Sequence, residues 1–383
     1  MPDVVALALP GGPAFVRAIE RTWAMGDAIF PLDQRLPRAE LDRVLASVAP
    51  GAIIEADGER RLLVGGRPTQ PGDAVIVATS GTTGHPKGVV HTHASIAASA
   101  LATSKALDVD PASDRWLACL PLAHIGGLAV VLRSLVTGTP VEVHDGFSAP
   151  AVAEALGRGV TLTSVVTKAL KQIDTEAFRM ILVGGAAPPP DRPANVWATY
   201  GLTETGSGVV YEREPLDGLE IRIDDSDEIW LRGPMLFRAY RDSAGPNSIG
   251  GATDHETDPK DAGGWFPTGD LGRFAGDGSL SVDGRKGDVI ATGGEKVWPE
   301  RAERVLAAQA GVADVAVIGR PHDEWGQEVV AVIVASGDGP SLEQLRDAVR
   351  AELPVWYAPH RIELVSSLPR TALGKLQRGL LTG

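Results

Sequence analysis

Residues Ala74-Val75-Ile76-Val77-Ala78 and Thr79-Ser80-Gly81-Thr82-Thr83-Gly84-His85-Pro86-Lys87-Gly88 decide how the rest of this 383-residue chain is read. A short apolar run closed by turn residues reads as a buried strand. The alanine-rich stretch from Ser95 to Leu107 reads as a helix, so the polar loop is expected between a strand and a helix. Its glycines let the backbone approach an oxyanion, and its hydroxyls and amides donate to one. The chemistry indicated is phosphate binding. The ordinary P-loop is not matched: it needs four residues between its glycines and then Gly-Lys followed by Ser or Thr. Here two residues separate Gly81 from Gly84, and Lys87 stands between Pro86 and Gly88.

Outward from that loop, strand-like and helix-like runs alternate through the first 200 residues or so. Asp114–Leu120 is followed by Leu128–Val136, and Val160–Ser164 by Val165–Ile173 and then Met180–Val183. Such alternation predicts parallel strands with crossover helices, an α/β fold. From about 209 to 284 short strands such as Leu219–Ile223 and Glu228–Arg232 are split by turns, Asp224-Asp225-Ser226-Asp227 among them. This segment reads as antiparallel sheet, a distorted β-barrel, with the acidic turn a solvated hairpin tip. A domain boundary is expected near Gly284-Arg285-Lys286-Gly287-Asp288. Beyond it Pro299 opens a helix that runs to about Gln309, at a position that tolerates proline. Val315–Ile318 and Val329–Val334 read as strands, and Ser341-Leu342-Glu343-Gln344 is a capping box before another helix. The expected organisation is therefore multi-domain α/β: residues 1–285 as a large N-terminal domain and 286–383 as a small mobile α+β domain.

Composition narrows the function. Hydrophobic residues make up 44% and charged residues 22%, as in an ordinary globular protein, and the chain is long enough for a large core. There are 36 basic against 49 acidic residues, a net charge of −13. That balance argues against non-specific binding to nucleic acid or to an anionic membrane surface, and an anionic substrate must be drawn by local groups. No apolar run reaches the roughly 18 residues of a membrane span, and Met1–Pro10, with acidic Asp3 and no basic cluster, does not read as a secretory signal. The lone Cys119 lies in an apolar run and reads as core. It can form no disulfide within the chain, which fits a reducing cytoplasm. His91 and His93, two residues apart without further ligand spacing, do not make a zinc site.

Other short strings carry chemistry. In Tyr200-Gly201-Leu202-Thr203-Glu204-Thr205 an aromatic face can stack on a purine, Thr203 can donate to a phosphate, and Glu204 can hold Mg²⁺, which prefers oxygen ligands. By itself the string is equally a strand end followed by a capped turn. Gly184-Gly185-Ala186 follows an apolar strand and is either a nucleotide-facing loop or a tight turn. In Trp265-Phe266-Pro267-Thr268-Gly269-Asp270-Leu271-Gly272 the carboxylate could accept two ribose hydroxyls.

Together these strings resemble the adenylate-forming enzymes: acyl-CoA synthetases, luciferases and the adenylation domains of peptide synthetases. The resemblance runs from about residue 71 to the end. It implies that Thr79, Ser80, Gly81, Thr82, Thr83, Gly84 and Lys87 hold the phosphates of ATP. Gly184, Gly185, Ala186, Tyr200 and Gly201 would lie along the adenine, Thr203 at a phosphate, Glu204 at Mg²⁺ and Asp270 at the ribose. Arg285 would contact the ribose or phosphate, and Lys286-Gly287 would be the inter-domain pivot. Glycine at the pivot departs from the family's usual Asp, Lys or Ser. Pro369-Arg370-Thr371-Ala372-Leu373-Gly374-Lys375 matches the catalytic-lysine loop, and Gly293-Gly294-Glu295-Lys296 the loop that serves thiol transfer. His124 would stand at the acyl pocket, with Gly126, Gly127, Gly206 and Ser207 leaving room for the acid.

The activity implied is ATP-dependent acid–CoA ligation through an acyl-adenylate, with coenzyme A as co-substrate. The early position of the first motif implies a reduced N-terminal subdomain, as in the small o-succinylbenzoate–CoA ligases of menaquinone synthesis, actinobacterial ones especially. Segments 121–128, 163–170 and 206–211 are similar to that group. A second substrate carboxylate would need a partner, and Ser95, Ser207, Thr167 and Lys168 are candidates among which sequence does not choose. Small ligases of this kind often pair, so a homodimer is an expectation without an interface signature. Three rivals stand beside this: another aryl or fatty acyl-CoA ligase, an adenylation module that loads a carrier protein, and a non-catalytic nucleotide-binding protein.

Overall fold

The computed structural model describes residues 1–79, 86–185, 191–242, 256–370 and 376–382. By packing, the chain divides into two units: Met1–Glu220 with Arg232–Phe266, and Ile221–Leu231 with Pro267–Gly383.

In the first unit the described residues form two large sheets. One has eight strands in the order Glu256–Thr257, Ala239–Arg241, Lys87–Thr92, Asp73–Thr79, Ala28–Pro31, Val4–Leu7, Ala52–Ile54 and Arg60–Leu62. Its centre is parallel: Val4–Leu7 pairs with Ala28–Pro31 and with Ala52–Ile54, and Ala28–Pro31 with Asp73–Thr79. The other has seven strands in the order Glu214–Pro215, Ser207–Tyr211, Val196–Leu202, Met180–Gly184, Leu162–Val166, Trp116–Ala118 and Val141–Val143. It is parallel from Val141–Val143 to Val196–Leu202 and antiparallel beyond. The parallel strands are apolar and buried on both faces, as Val4, Val5, Ala6, Leu7, Ile181 and Val183 show at 0% exposure. Cys119 is equally buried in this core.

Two local expectations are corrected. The polar loop does not run from a strand into a helix. It joins two antiparallel strands, Asp73–Thr79 and Lys87–Thr92, with Thr79 opposite Lys87. The second strand forms because Val89 and Val90 are fully buried between neighbouring strands. The alanine-rich helix, His93–Ala106, follows directly, and a capping box of Thr92 and Ser95 starts it. The strand at Val160–Ser164 shifts to Leu162–Val166, leaving only the short helix Thr167–Leu170 where a longer one was expected. Consecutive β-branched Val165 and Val166 favour the strand.

The segment read as a distorted barrel is divided. Ser207–Tyr211 and Glu214–Pro215 extend the seven-stranded sheet, and Ala239–Arg241 the eight-stranded one. In the second unit a four-stranded sheet runs in the order Glu220–Ile223, Glu228–Arg232, Phe266–Phe274 and Leu280–Arg285. The acidic turn is its hairpin tip, where the Asp224 carboxylate accepts from the Ser226 hydroxyl and the Trp230 indole. A second sheet of five strands, Glu295–Val297, Ile290–Thr292, Gly326–Ala335, Val312–His322 and Arg361–Leu364, packs on helices Pro299–Ala307 and Leu342–Glu352. Ser341 and Gln344 close the expected capping box.

The turn Lys286–Asp288 is tied to this unit by Arg378. Its guanidinium donates to Asp288 and Glu300, both at 2.8 Å, and to Glu303 at 2.6 Å. One cation thus serves three carboxylates. Burial raises the Glu300 carboxyl from the ordinary 4.5 to about 7; Arg378 opposes the shift, while Glu303 and Asp288 add to it. The native state therefore binds this proton more tightly than the unfolded chain. Its stabilisation is complete below pH 4.5 and is lost as pH rises through 7, roughly 3–4 kcal/mol in all at 1.4 kcal/mol per unit. Glu300→Gln removes that dependence. Thermal unfolding at pH 5 and pH 8 should show a smaller loss of stability in the variant, and an unchanged loss would mean that Glu300 is ionised throughout.

Candidate active site

The Thr203–Thr205 turn is braced by side-chain hydrogen bonds from several directions. It is a single 3₁₀ turn following strand Val196–Leu202. The buried Thr205 hydroxyl donates to the Ser207 carbonyl at 2.6 Å and accepts from the Leu202 amide at 2.9 Å. Gly201 faces Gly208 across a bulge, and a Cβ on Gly201 would lie 2.3 Å from the Ser207 oxygen, so only glycine fits. From below, His91 Nε2 lies 2.7 Å from the Thr203 carbonyl. A carbonyl can only accept, so that nitrogen carries the proton, and Nδ1 faces the Ser95 hydroxyl at 3.2 Å. Burial lowers His91 from 6.5 to about 4, against the pull of the Thr203 carbonyl, so the ring is neutral at physiological pH. Both nitrogens are engaged, and His91 serves as a strut for the turn.

Glu204 accepts at 2.8 Å from the hydroxyl of Tyr240, whose ring lies 3.4 Å from the Lys87 ammonium. Lys87, Tyr240 and Glu204 thus form one row, with charges of opposite sign at its two ends. No three His, Cys, Asp or Glu side chains among the described residues converge on a metal position. A magnesium ion at Glu204 would draw most of its oxygens from water and phosphate, which is how Mg²⁺ is usually held. The donor set fits that ion. Tyr240 was not legible beforehand, because it lies 36 residues from its partner in a segment without a motif.

Of the loop, Thr79 and Lys87 are described, and the Thr79 hydroxyl faces the Lys87 carbonyl at 3.5 Å. Ser80, Gly81, Thr82, Thr83 and Gly84 lie outside the described residues, as do Ala186 and Lys375. Gly184 ends its strand, and Gly185 takes a positive φ of 83°. Tyr200 sits half-buried on strand Val196–Leu202, opposite Val210.

His124 stands just ahead of helix Ile125–Thr137, 3.3 Å from an Asp33 oxygen and 3.4 Å from Arg35. The Arg35 hydrogen bonds hold the Asp33 carboxyl well below the usual range despite its burial. In the first helical turn Gly127 is required, since a Cβ would meet the Leu120 oxygen at 2.4 Å, whereas a Cβ on Gly126 would make only an ordinary contact with Leu120 Cδ1 at 3.7 Å. Gly206 has a φ of 70° and closes the 203–205 turn, and Ser207 accepts from Arg133 at 3.1 Å. Among the candidates for a second carboxylate, Ser95 is committed to its helix cap and His91. Lys168 is exposed on its short helix, while the Thr167 hydroxyl is buried without a hydrogen-bond partner.

In the second unit Asp270 and Arg285 face each other across an antiparallel pair, and Arg285 Nε lies 2.7 Å from Asp270 Oδ1. Arg285 also donates to the Thr268 carbonyl at 3.1 Å. Buried Glu228 accepts from the Gly269 amide at 3.0 Å and from the Lys286 ammonium at 2.7 Å, so one carboxylate anchors the Asp270 turn and Lys286 together. The Glu228 hydrogen bond, with its charge, holds the Lys286 ammonium above its ordinary value. Gly287 has nothing within 4 Å of an added Cβ. Gly293 and Gly294, at φ 57° and 86°, turn the hairpin between Ile290–Thr292 and Glu295–Val297.

Comparison with known proteins gives the family. Residues 55–241 match the AMP-binding enzyme family, and residues 301–375 match the AMP-binding enzyme C-terminal domain. The chain is 38% identical to a probable 2-succinylbenzoate–CoA ligase of Mycobacterium tuberculosis over 371 residues, covering 89% of this chain and 93% of that one. It is 32% identical to a 2-succinylbenzoate–CoA ligase of Listeria monocytogenes over 369 residues, with 89% and 76% covered. Among solved structures, the o-succinylbenzoate coenzyme A synthetase of Bacillus subtilis in complex with ATP and magnesium superposes with a TM-score of 0.83 at 28% identity, covering 99% of this chain and 88% of the other. Alike in sequence over nearly its whole length and in backbone, the chain belongs to the AMP-binding enzyme family.

Proposed function

We propose that this protein is an AMP-forming 2-succinylbenzoate–CoA ligase. The observation that carries the substrate is the 38% identity, over 93% of its length, to the Mycobacterium tuberculosis protein of that name. In the first half-reaction a substrate carboxylate attacks the α-phosphorus of ATP, forming a mixed anhydride with AMP and releasing pyrophosphate. In the second, the thiol of coenzyme A attacks the acyl carbon and AMP leaves.

This chain's residues divide that work. Loop 79–88 cradles the phosphates, and Tyr200 with Gly184, Gly185 and Ala186 takes the adenine. Asp270 accepts the ribose hydroxyls beside Arg285. Glu204, oriented by Tyr240, would hold Mg²⁺, and the ion would supply positive charge against the phosphates. Lys375 bridges the α-phosphate and the attacking carboxylate. His124, Gly126, Gly127, Gly206 and Ser207 bound the acid. The domain from 286 onward turns about Lys286-Gly287 between the half-reactions, which removes Lys375 and brings in Gly293-Gly294. A site shared by two chemistries needs such a change. We place the enzyme in the cytoplasm, in keeping with its single buried cysteine.

The deciding experiment is a carboxylic-acid screen by pyrophosphate release, 2-succinylbenzoate included, followed by detection of the CoA thioester. Turnover of another acid in preference would overturn the substrate assignment. The pivot has its own test. Proline at 287 fixes φ and drives Lys286 out of helical geometry, so Gly287→Pro should slow thioester formation at least tenfold more than adenylation. Equal rates for the two steps, relative to wild type, would exclude Gly287 as the pivot.

A further inference from the structure

Glu300 stands where the two sheets of the second unit meet. It lies in the first turn of helix Pro299–Ala307, whose Ala302, Val305 and Leu306 pack into the core of the five-stranded sheet. On another side the same helix approaches strand Leu280–Arg285 of the four-stranded sheet. The approach is so close that a Cβ at Gly284 would lie 2.2 Å from Glu300 Oε2. Gly284 also takes a φ of 148°, which favours glycine. Between that strand and the helix the chain passes through the turn Lys286–Asp288. Lys286 is held to Glu228 on the four-stranded sheet, and Asp288 is held by Arg378, which also grips the helix through Glu300 and Glu303. Gly287, between them, has nothing within 4 Å of an added Cβ. The Glu300–Gly284 contact therefore joins residues on either side of the pivot proposed above.

The two oxygens of Glu300 are served unequally. Oε1 accepts from Arg378 at 2.8 Å, whereas Oε2 is buried without a hydrogen-bond partner among the described residues. Arg378 serves Asp288 and Glu303 as well, so three ionised carboxylates around one guanidinium would leave two negative charges uncompensated. Strand Leu280–Arg285 brings no relief, because its charged side chains are engaged within their own sheet: Asp283 pairs with Arg273, and Arg285 with Asp270. A buried carboxylate oxygen with a glycine backbone before it and no donor is costly, and a neutral carboxyl there costs far less. The rise of the Glu300 carboxyl to about 7, caused first by burial, agrees with that placement.

Resting on the two-orientation ligase reading above, we infer that Glu300 is a positioning residue: when neutral it latches helix Pro299–Ala307 onto strand Leu280–Arg285, and when ionised it frees the helix to turn about Lys286-Gly287. The proton is exchanged with water, and no other bond is made or broken. In the turned orientation the carboxyl leaves Gly284, is solvated and titrates near its ordinary 4.5. The latched orientation binds the proton more tightly, so its advantage is full below pH 4.5 and is lost as pH rises through 7. Between pH 6 and pH 8 the ratio of latched to turned molecules should fall about tenfold. Two half-reactions that need different orientations then respond to pH in opposite directions.

The test reads the orientation directly. Spin labels are placed on the full chain at Gly276→Cys, in the exposed turn ahead of strand Leu280–Arg285 where an added Cβ meets nothing within 4 Å, and at exposed Arg304→Cys on the helix. The native Cys119 is buried and does not compete for label. Pulsed electron paramagnetic resonance should show two distance populations whose ratio shifts about tenfold from pH 6 to pH 8. Glu300→Gln keeps the side chain's shape but cannot ionise, and it should hold the pH 6 distribution at pH 8. In turnover, the ratio of adenylation rate to thioester rate should change about tenfold over the same range in wild type and stay within about twofold in the variant. A wild-type distribution that ignores pH overturns the latch, as does a shift that persists in Glu300→Gln. A purely structural role would change the thermal stability of the variant and leave its distances following pH as in wild type. The distances need no substrate. A chain that shows the expected shift yet activates no acid would overturn the ligase reading and leave the latch standing.

Discussion

Lys375→Ala should abolish most ATP-dependent pyrophosphate release while leaving thioester formation from supplied acyl-adenylate within about threefold of wild type. Removing one preorganised donor aimed at developing charge typically costs 10²–10³ in rate, and the whole of that loss is expected in the first half-reaction. Lys375 itself lies outside the described residues, but both flanks of its loop are anchored. Arg370 donates to Asp314 at 2.7 Å and bridges antiparallel to Leu376, and Arg378 is gripped by Asp288, Glu300 and Glu303. The residues flanking Lys375 thus belong to the same unit as the turn Lys286–Asp288. If that unit must turn away for the second chemistry, its lysine cannot take part there. The assay is a pair of single-turnover measurements, one from ATP and acid and one from acyl-adenylate and CoA. Equal losses in both would sink the two-orientation mechanism, because the lysine would then be needed throughout.

The difference between what sequence shows and what folding adds runs along the same lines. Motifs whose parts are neighbours in the chain were legible: the 79–88 loop, Tyr200 to Thr205, Gly269-Asp270 and the capping box at Ser341 each carry their chemistry within a few residues. Groups brought in from other strands were not. Tyr240 reaches Glu204 from a strand that pairs with Glu256–Thr257 on one side and Lys87–Thr92 on the other. That strand was itself hidden by the helix-like alanines after it. Glu228 holds both Gly269 and Lys286, 41 and 58 residues away. His91 was weighed only as a metal ligand, since a histidine pair raises that question first, and its task as a neutral strut under the Thr203 carbonyl depends on a contact across 112 residues. Arg133 was passed over, although a lone cation inside the apolar run Leu128–Val136 contradicts the pattern of a core helix, and in the fold it is buried and donates to Ser207, 74 residues away.

Asp270→Ala should raise KM for ATP by about 10²-fold with a much smaller change in kcat. The argument starts from the strand pair. Asp270 is 6% exposed and faces Arg285, whose Nε lies 2.7 Å from Oδ1, so the carboxylate is held in place before any ligand arrives. Two ribose hydroxyls donating to a fixed carboxylate would make two charge-assisted hydrogen bonds of about 1.5–3 kcal/mol each. Part of that is recovered in the variant by water, and about 3 kcal/mol remains, which is roughly 10²-fold. The ribose lies away from the reacting phosphorus, so these bonds are as strong in the ground state as in the transition state. Their loss weakens binding uniformly and appears in KM. The fold should survive: the Asp270 amide donates to the Thr268 hydroxyl, which in turn donates to the Ile229 carbonyl, and neither bond involves the carboxylate. A second readout separates ribose recognition from a general loosening of the strand pair. Wild type should discriminate against 2′-deoxyATP, and Asp270→Ala should lose that discrimination, because the residue that counts hydroxyls is gone. A variant that binds ATP poorly yet still prefers it to 2′-deoxyATP would assign the hydroxyl contact to another group and reduce Asp270 to the partner of Arg285.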